Sequence, residues 1–284
     1  MATVLITGTS KGIGYETALL LARAGHDVIA TMRNPSKSDL AKVASQEKLP
    51  LSVITLDVDF DESVAAVFGD VGKDVDVLVN NAGIYSINAV EDESVQQFQQ
   101  VMNTNYFGVV RCIKQVLPRM RVRRSGCIIN VSSIAGRMAF PATSAYTASK
   151  FALEALSESL AQEVRAHGIR VALVEPGIID TPMATTSLPQ YTKDTIYPQG
   201  RRVHAFFHHA AQEPASPTLV AERIKYVIEA SDERLRFPVG PDALSLLGWR
   251  ESVSDEFWMQ LGALESDSEY YDLVLADTGI DLRA

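Results

Sequence analysis

Short apolar runs alternate with segments of helical periodicity along most of this chain. The predicted strands are Thr3–Thr7, Asp27–Met32, Leu51–Asp57, Val75–Asn80, Gly126–Ser132 and Arg170–Glu175, with a further short strand over Arg236–Gly240. The predicted helices are Ile13–Ala24, Asp61–Val71, Ser94–Pro118 and Ala148–His167. Each strand is a nearly continuous apolar run, as expected when helices cover both faces of a parallel sheet. The alternation therefore predicts a single-domain α/β fold, a doubly wound parallel sheet with helices on both faces.

Residues 183–217 depart from this alternation, because they are rich in proline and aromatic residues and follow the end of a predicted strand. Segments in this position wall the ligand crevice of an open α/β sheet. We therefore expect a substrate lid here. Its aromatic residues would form an apolar cover or pack the lid on the body, and they are Tyr191, Tyr197, Phe206 and Phe207.

Residues 241–284 form an acidic extension, with ten acidic residues against Arg250 and Arg283. A stripe at helical spacing runs through Trp249, Val253, Phe257, Leu261 and Leu264. It predicts a tail helix that packs on the domain formed by residues 1–240. Trp249, Phe257 and Trp258 could instead cover the pocket or a neighbouring subunit.

Composition excludes several classes of partner. The 284 residues include 26 basic and 35 acidic side chains, a formal charge of −9. This balance disfavours binding to nucleic acid or to an anionic membrane. No apolar run reaches the length needed to span a bilayer, and only Cys112 and Cys127 occur. We expect a cytoplasmic protein with no membrane and no nucleic-acid partner.

A glycine-rich turn lies between the first predicted strand and the first predicted helix, over Thr7-Gly8-Thr9-Ser10-Lys11-Gly12-Ile13-Gly14. Glycines in this place permit a tight turn and let backbone amides approach a pyrophosphate at the helix N-terminus. The alternative is an ordinary glycine-rich turn. Its position after a strand and before a helix favours a Rossmann-type dinucleotide site, in which we expect contacts from Gly8, Ser10, Lys11, Gly12, Ile13 and Gly14.

The end of the second predicted strand discriminates between the two nicotinamide cofactors. NAD-dependent proteins generally place an acidic residue there for the ribose 2′-hydroxyl. This chain has Met32 at that point and Arg33 directly after it. A guanidinium suits a 2′-phosphate, and Lys11 could add a second cation. The pattern predicts NADP(H), unless both cations are ordinary solvated surface charges.

A second constellation lies in the middle of the chain. Tyr146 precedes Lys150 by four residues, which puts both on one face of a helix, and Ser133 stands thirteen residues before Tyr146. Together they can supply a phenol proton donor, a cation beside it and a hydroxyl for a substrate oxygen. The alternatives are an exposed helix pair and a simple turn hydroxyl.

In order along the chain, these motifs resemble the classical branch of the short-chain dehydrogenase/reductase family. The matching residues are the turn at 7–14, Asp57-Val58, Asn80-Asn81-Ala82-Gly83, Asn105, Ser133, Tyr146 with Lys150, and Pro176-Gly177 followed by Thr181. A softer likeness, carried by Thr31–Pro35 and the region after Thr181, is to the branch of 17β-hydroxysteroid and retinol dehydrogenases.

The resemblance implies a catalytic group of four residues. Tyr146 would exchange the proton with the substrate oxygen, and Lys150 would lower the pKa of that phenol and hold the nicotinamide ribose. Ser133 would orient the substrate oxygen, and Asn105 would anchor a water of a proton relay. Hydride chemistry would belong to the cofactor.

It also implies further cofactor contacts. Asp57 and Val58 would border the adenine, and Asn81, Ala82 and Gly83 would line the adenosine ribose and the nicotinamide side. Pro176 and Gly177 would lie against the nicotinamide ring, and Ile179 and Thr181 would meet its carboxamide. A homodimer or homotetramer, paired through the helices over Ser94–Pro118 and Ala148–His167, is implied as well.

The expected function is NADPH-dependent reduction of a ketone or aldehyde, with a bulky or apolar small molecule as substrate. The alternative is NADP-dependent oxidation of a hydroxysteroid-like or other secondary alcohol. A second alternative is a non-catalytic protein that senses NADP(H). We expect no metal site, since His204, His208 and His209 have no acidic or cysteine partner at an obvious spacing.

Overall fold

The computed structural model describes residues 1–71, 75–187, 196–197, 199–210, 212, 215–230 and 232–283. Within these ranges, seven parallel strands form one sheet in the order β3-β2-β1-β4-β5-β6-β7. The strands are β1 Thr3–Thr7, β2 Asp27–Met32, β3 Leu51–Thr55, β4 Val77–Asn80, β5 Gly126–Val131, β6 Ile169–Pro176 and β7 Arg236–Val239. The predicted doubly wound parallel sheet is confirmed.

Helices connect the strands on both faces of the sheet. They are α1 Gly12–Arg23, α2 Leu40–Glu47, α3 Asp61–Val71, α4 Val95–Met102, α5 Gly108–Arg123, α6 Ser144–Val164, α7 Pro182–Ser187, α8 Gly200–Ala210, α9 Pro217–Glu229, α10 Ala243–Ser252, α11 Asp255–Ala263 and α12 Asp267–Thr278. Single-turn 3₁₀ segments cover Pro35–Lys37, Ile134–Gly136 and Arg165–His167.

Two apolar clusters cover the two faces of the sheet. Along β1, Val4 and Ile6 belong to the cluster formed with α1 and α9, whereas Leu5 belongs to the cluster formed with α3, α5 and α6. Successive strand side chains point to opposite faces, so a strand buried on both sides must be apolar at every position. This is why the strands are continuous apolar runs in the sequence.

The helix predicted over Ser94–Pro118 is wrong in two respects. A π-helical turn over Asn103–Phe107 divides it into α4 and α5, and α5 continues past Pro118 to Arg123. Proline lacks the N–H of a helical hydrogen bond. Val116 and Met120, on either side of it, are buried in the core beneath α5, and this burial keeps the helix intact.

A single tail helix over the predicted stripe is also wrong, because residues 243–278 form three helices. The Ser254 hydroxyl accepts a hydrogen bond from the Phe257 N–H at 3.2 Å, and this N-cap starts α11 afresh after Val253. The extension helices contribute Leu246, Trp249 and Val274 to a third apolar cluster, which also contains Ile134 and Phe206.

The strand order identifies the end of the sheet at which a ligand is expected to bind. The chain crosses from the β3 edge to the far side of β1 and continues with β4, so the carboxyl ends of β1 and β4 diverge into a crevice. Ligands of open α/β sheets bind at such a switch point. None of the described helices is long and apolar enough to cross a membrane.

Candidate active site

A cleft of about 800 Å³ opens at the carboxyl ends of β1 and β4. It is lined by nearly all the residues that the sequence singled out. These are Gly8, Ser10, Lys11, Gly12, Ile13, Arg33, Asp57, Val58, Asn81, Ala82, Gly83, Ser133, Tyr146, Lys150, Pro176, Gly177, Ile179 and Thr181. Gly14 and Asn105 are the two predicted site residues that do not line it.

The glycine turn is built for close approach of backbone groups. Gly8 has φ +74°, and a Cβ on it would lie 2.7 Å from the Ala82 Cα. Gly12 has φ +63° and opens α1. A Cβ on Gly14 would lie 2.4 Å from the Asn81 amide nitrogen, so this glycine packs the turn and does not face the cleft. The bare backbone and the start of α1 form a cradle that fits the pyrophosphate of a dinucleotide.

Thr7 and Asn81 join the two strand ends of the crevice. The Thr7 hydroxyl accepts hydrogen bonds from the backbone N–H groups of Asn81 and Ala82, each at 3.0 Å. In return, the Asn81 amide donates to the carbonyls of Thr7 at 2.9 Å and of Gly8 at 3.0 Å. Both the side-chain amide and the backbone N–H of Asn81 are therefore used to hold the turn, and its contact with a cofactor stays a prediction.

Three cations border the end of the cleft beside β2. Lys11, Arg33 and Lys37 all line it and are exposed. Lys37 was missed by the sequence analysis, since a lone lysine four residues beyond Arg33 carries no signal until the turn at Pro35–Lys37 folds it back. Asp39, two residues after Lys37, does not line the cleft and accepts a hydrogen bond from the Tyr15 hydroxyl at 2.9 Å.

Asn105 lies in the π-helical turn behind the cleft and is 1 % exposed. Its amide donates to the Ile84 carbonyl at 2.9 Å and to the Ser149 hydroxyl at 3.0 Å, and its oxygen accepts from the Ile84 N–H at 2.8 Å. Both amide hydrogens are thus used within the protein. The side chain therefore connects the segment after β4 to α6. It has no free amide hydrogen to donate to a water, and its role as a water anchor stays a prediction.

Ser133, Tyr146 and Lys150 meet at the centre of the cleft. The Ser133 hydroxyl lies beside the Tyr146 phenol and favours its ionised form, and its oxygen accepts a hydrogen bond from the Ala135 N–H at 3.1 Å. The same hydroxyl donates to the Pro176 carbonyl at 3.4 Å. The Lys150 ammonium donates to the Val131 carbonyl at 2.8 Å and lies 5.5 Å from the centre of the Tyr146 ring. Ser133 comes from the turn after β5, and Tyr146 and Lys150 come from α6, which packs against that turn.

The protonation of this group differs from the prediction. Burial raises the pKa of Tyr146 to about 12, and the neighbouring Ser133 hydroxyl only partly opposes this shift. In this structure burial outweighs any lowering of this pKa by Lys150, whose ammonium donates to the Val131 carbonyl, and the influence of Lys150 on the phenol stays a prediction. Burial also lowers the pKa of Lys150 to about 8. Near neutral pH the phenol is protonated and ready to act as an acid.

Beyond Tyr146 the cleft is walled by apolar and aromatic side chains. Tyr85 packs its ring 4.5 Å from that of Tyr146 and 5.9 Å from that of Phe207, centre to centre. Phe140 stacks against Phe206 at 5.5 Å. This wall also includes Ile134, Ile178, Met183, Val203 and Leu246. Its described members carry no charged side chain, which fits an apolar substrate.

The predicted lid is partly described. Helix α8 supplies Phe206 and Phe207 to the wall, whereas Tyr197 hydrogen-bonds Glu91 and does not line the cleft. Tyr191 lies outside the described residues. Trp258 from α11 stands 6.2 Å from Phe140 and donates its indole N–H to the Ala139 carbonyl at 3.1 Å. The extension thus backs the wall from outside, and Leu246 reaches the cleft itself.

Comparisons with known proteins agree with this arrangement. The sequence model of the short chain dehydrogenase family matches residues 2–192. The chain is 40 % identical over 255 residues to retinol dehydrogenase 8 of Bos taurus, covering 82 % of this chain and 80 % of that protein. Among solved structures, a short-chain dehydrogenase from Streptomyces avermitilis superposes with a TM-score of 0.77 at 31 % identity, covering 94 % of this chain and 97 % of the other. A variant of actinorhodin polyketide ketoreductase with NADPH superposes with a TM-score of 0.75 at 28 % identity, covering 84 % and 95 %.

Proposed function

The chain belongs to the short-chain dehydrogenase family, and on that premise we propose that it reduces an apolar ketone or aldehyde to the alcohol with NADPH. The observation that carries the proposal is the placement of Tyr146 beside Ser133 and Lys150, at the junction of the glycine cradle and the apolar wall, where burial raises the pKa of the phenol to about 12. A phenol that holds its proton near neutral pH suits reduction, which consumes a proton at the carbonyl oxygen.

The cofactor preference is supported by the corner beside β2. Lys11, Arg33 and Lys37 would hold the 2′-phosphate, because guanidinium and ammonium groups pair with phosphate oxygens. Gly8, Gly12 and the start of α1 would hold the pyrophosphate. When bound, NADPH supplies the hydride. The ketoreductase that resembles this chain is described with NADPH.

The protein's own part of the reaction is positioning and proton transfer. Ser133 would hold the carbonyl oxygen beside the Tyr146 hydroxyl, and Tyr146 would donate its proton to that oxygen as the alcohol forms. The Lys150 cation would stabilise the phenolate left behind. Tyr85, Phe140, Phe206 and Phe207 would exclude water from the reacting group.

Two exposed aromatic side chains on the helical face expected to pair support the formation of a homo-oligomer. Phe107 and Phe151 are 49 % and 44 % exposed, and they lie on the π-helical turn and on α6. These are the segments expected to pair, so their exposed rings support a homodimer or homotetramer through this face. Cys112 and Cys127 are free, buried thiols, which supports a cytoplasmic location.

The experiment compares NADPH and NADH consumption with aliphatic, aromatic and polycyclic ketones. We expect turnover with NADPH and an apolar ketone. Tyr146→Phe keeps the ring packing and should lower kcat by at least about 100-fold, as expected for loss of a general acid, while NADPH binding persists. Tyr85→Phe is the matched control, since its ring contacts Tyr146 and its hydroxyl has no assigned proton to give.

The other outcomes separate the alternatives. Activity that survives Tyr146→Phe would remove this residue from the proton transfer. Turnover confined to alcohol oxidation would favour the dehydrogenase alternative, and NADPH binding without turnover of any ketone or alcohol would favour a sensing protein. Arg33→Asp should weaken NADPH far more than NADH, and equal weakening of both would remove Arg33 from the 2′-phosphate.

A further inference from the structure

A buried charged cluster lies one turn beyond Lys150 on the same face of α6 and does not line the cleft. Glu154, one turn after Lys150, is 5 % exposed, and Glu175 at the end of β6 is fully buried. Arg236 on β7 lies between them, with its Nε 3.0 Å from the Glu154 Oε2 and 3.5 Å from the Glu175 Oε1. Arg137 approaches Glu175 from the turn after β5, at 3.4 Å.

In the described part of the chain, Lys150 has one hydrogen-bond acceptor, and the Glu154 carboxylate stands one helical turn away. Its ammonium donates to the Val131 carbonyl, and the charge of Glu154 favours its protonated form against the cost of burial. The other titratable or charged groups around the pair are Tyr146 on α6, Tyr85 from the segment after β4, Glu175, Arg236 and Arg137. An ammonium so enclosed requires a compensating charge.

The backbone next to Ser133 makes room for Glu154. A Cβ on Gly136 would lie 2.8 Å from the Glu154 Cγ, 2.8 Å from the Ser132 Oγ and 3.2 Å from the Glu154 Oε1. The Glu154 Oε1 is buried and has no hydrogen-bond partner in the described part of the chain. Only the other oxygen, Oε2, accepts a hydrogen bond from Arg236. Its charge is therefore only partly neutralised by the arginine and acts on its surroundings.

We propose that Glu154 is a positioning residue that keeps Lys150 cationic beneath Tyr146, with Gly136 leaving the space that it occupies. The inference rests on the proposed function, in which a cation stabilises the phenolate of Tyr146. Glu154 touches neither cleft nor substrate and acts through Lys150. Removing its negative charge makes Lys150 give up its proton more easily, so the titration of Lys150 moves to lower pH.

The first test measures Lys150 directly and does not depend on turnover. The full-length protein is labelled with ¹³C at the lysine ε-carbons and titrated by NMR without cofactor, and the Lys150 signal is assigned by its loss in Lys150→Arg. We expect Glu154→Gln to lower the midpoint by about one pH unit, as expected for a neighbouring charge in a buried site.

Glu158→Gln is the matched control. Glu158 lies one turn further along α6 and pairs with the same arginine, its carboxylate 2.7 Å from the Arg236 Nη2, but its side chain is 57 % exposed. Its loss should leave the Lys150 midpoint unchanged. A midpoint that stays in place in Glu154→Gln, or falls equally in both variants, overturns the proposal.

Two further measurements keep the proposal testable. If Glu154→Gln does not fold, Gly136→Ala displaces the carboxylate with its charge intact and should lower the midpoint in the same direction; an unmoved midpoint overturns the proposal. In the active enzyme, the fall of kcat at alkaline pH should move to lower pH in Glu154→Gln but not in Glu158→Gln. An enzyme without carbonyl turnover would refute the proposed function while the NMR titration still decided the role of Glu154.

Discussion

Asp242 accepts a hydrogen bond from the backbone N–H of Ile178 at 2.8 Å. It precedes α10 but makes no side-chain bond to the start of that helix. Its other oxygen, Oδ1, lies 2.2 Å from where a Cβ on Gly177 would be. Pro176, Gly177 and Ile178 all line the cleft. The first residues of the acidic extension therefore fix the strand-end segment on which the nicotinamide end of the cofactor is expected to rest.

Removing this carboxylate should weaken cofactor binding. A hydrogen bond to a charged group contributes about 1.5–3 kcal/mol, so Asp242→Ala should raise the Kd for NADPH by about tenfold or more. Asp242→Asn keeps an acceptor for Ile178 and should lose much less. NADPH fluorescence titration measures the effect, with Asp255→Ala, an exposed acid of the same extension, as control.

Gly177→Ala should also weaken NADPH binding, because the added Cβ would collide with the Asp242 carboxylate. The double variant with Asp242→Ala removes the atoms of that collision. It should bind NADPH no worse than Asp242→Ala alone, whereas additive losses would show that Gly177 is required for another reason.

Leu246 should limit the size of the substrate. It is 1 % exposed and lines the apolar wall from α10, so Leu246→Phe adds volume to the substrate side of the cleft. We expect kcat/KM for a polycyclic ketone to fall by about tenfold or more, with small aliphatic ketones little affected. Leu244→Phe, on the same helix but 71 % exposed, should change neither. Equal losses for small and large ketones would mean that the cleft itself is deformed.

The sheet was predictable because its signals are local. Buried parallel strands must be apolar at every position, and the bounds of β1 and β2 were predicted to the residue. The glycine turn and the spacing of Ser133, Tyr146 and Lys150 follow from such elements. At these sites the residues that the chemistry requires recur at a fixed spacing along the chain, so the sequence alone reveals them.

The remaining features depend on tertiary contacts. The π-helical turn at Asn105 arises where its amide bridges Ile84 and Ser149, and neither partner is near it in the sequence. Lys37 reaches the cleft only because a turn folds it back beside Arg33. The protonation of Tyr146 is set by burial, which spacing does not reveal.

Glu175 should make stability depend on pH. Burial and the charge of Glu154 raise the pKa of Glu175 to about 7 from a usual value of 4.5. Between these values the folded protein holds a proton that the unfolded chain releases, so this group's contribution to stability falls as pH rises from 4.5 to about 7. One such proton gives a slope of at most about 1.4 kcal/mol per pH unit.

Glu175→Gln should remove that slope, and urea denaturation followed by tryptophan fluorescence at several pH values measures it. Glu158→Gln, a carboxylate on the same arginine, is the control, because its side chain is largely exposed. A slope that persists in Glu175→Gln would assign the proton to another group.

Arg202 on α8 should attach the C-terminal extension, residues 241–284, to this helix of the predicted lid. Its guanidinium is buried, pairs with Asp267 at 3.0 Å, donates to the carbonyls of Leu261 and Leu264, and lies 4.7 Å from the ring centre of Tyr270. Arg202→Met would leave these groups unpaired inside the protein, and we expect a loss of about 3–5 kcal/mol in the free energy of unfolding.

Arg201 offers a matched control for this effect. It touches the same carboxylate of Asp267 at 3.3 Å but is 56 % exposed, so Arg201→Met should cost about 0–1 kcal/mol. Because Phe206 lies on the same helix and lines the cleft, Arg202→Met should also raise the KM for the ketone while NADPH binding is retained. Equal destabilisation by both variants would place the stabilising energy in the surface charge of Asp267. A rise in the Kd for NADPH as large as the rise in KM would mean that the extension supports the whole cleft and not the substrate wall alone.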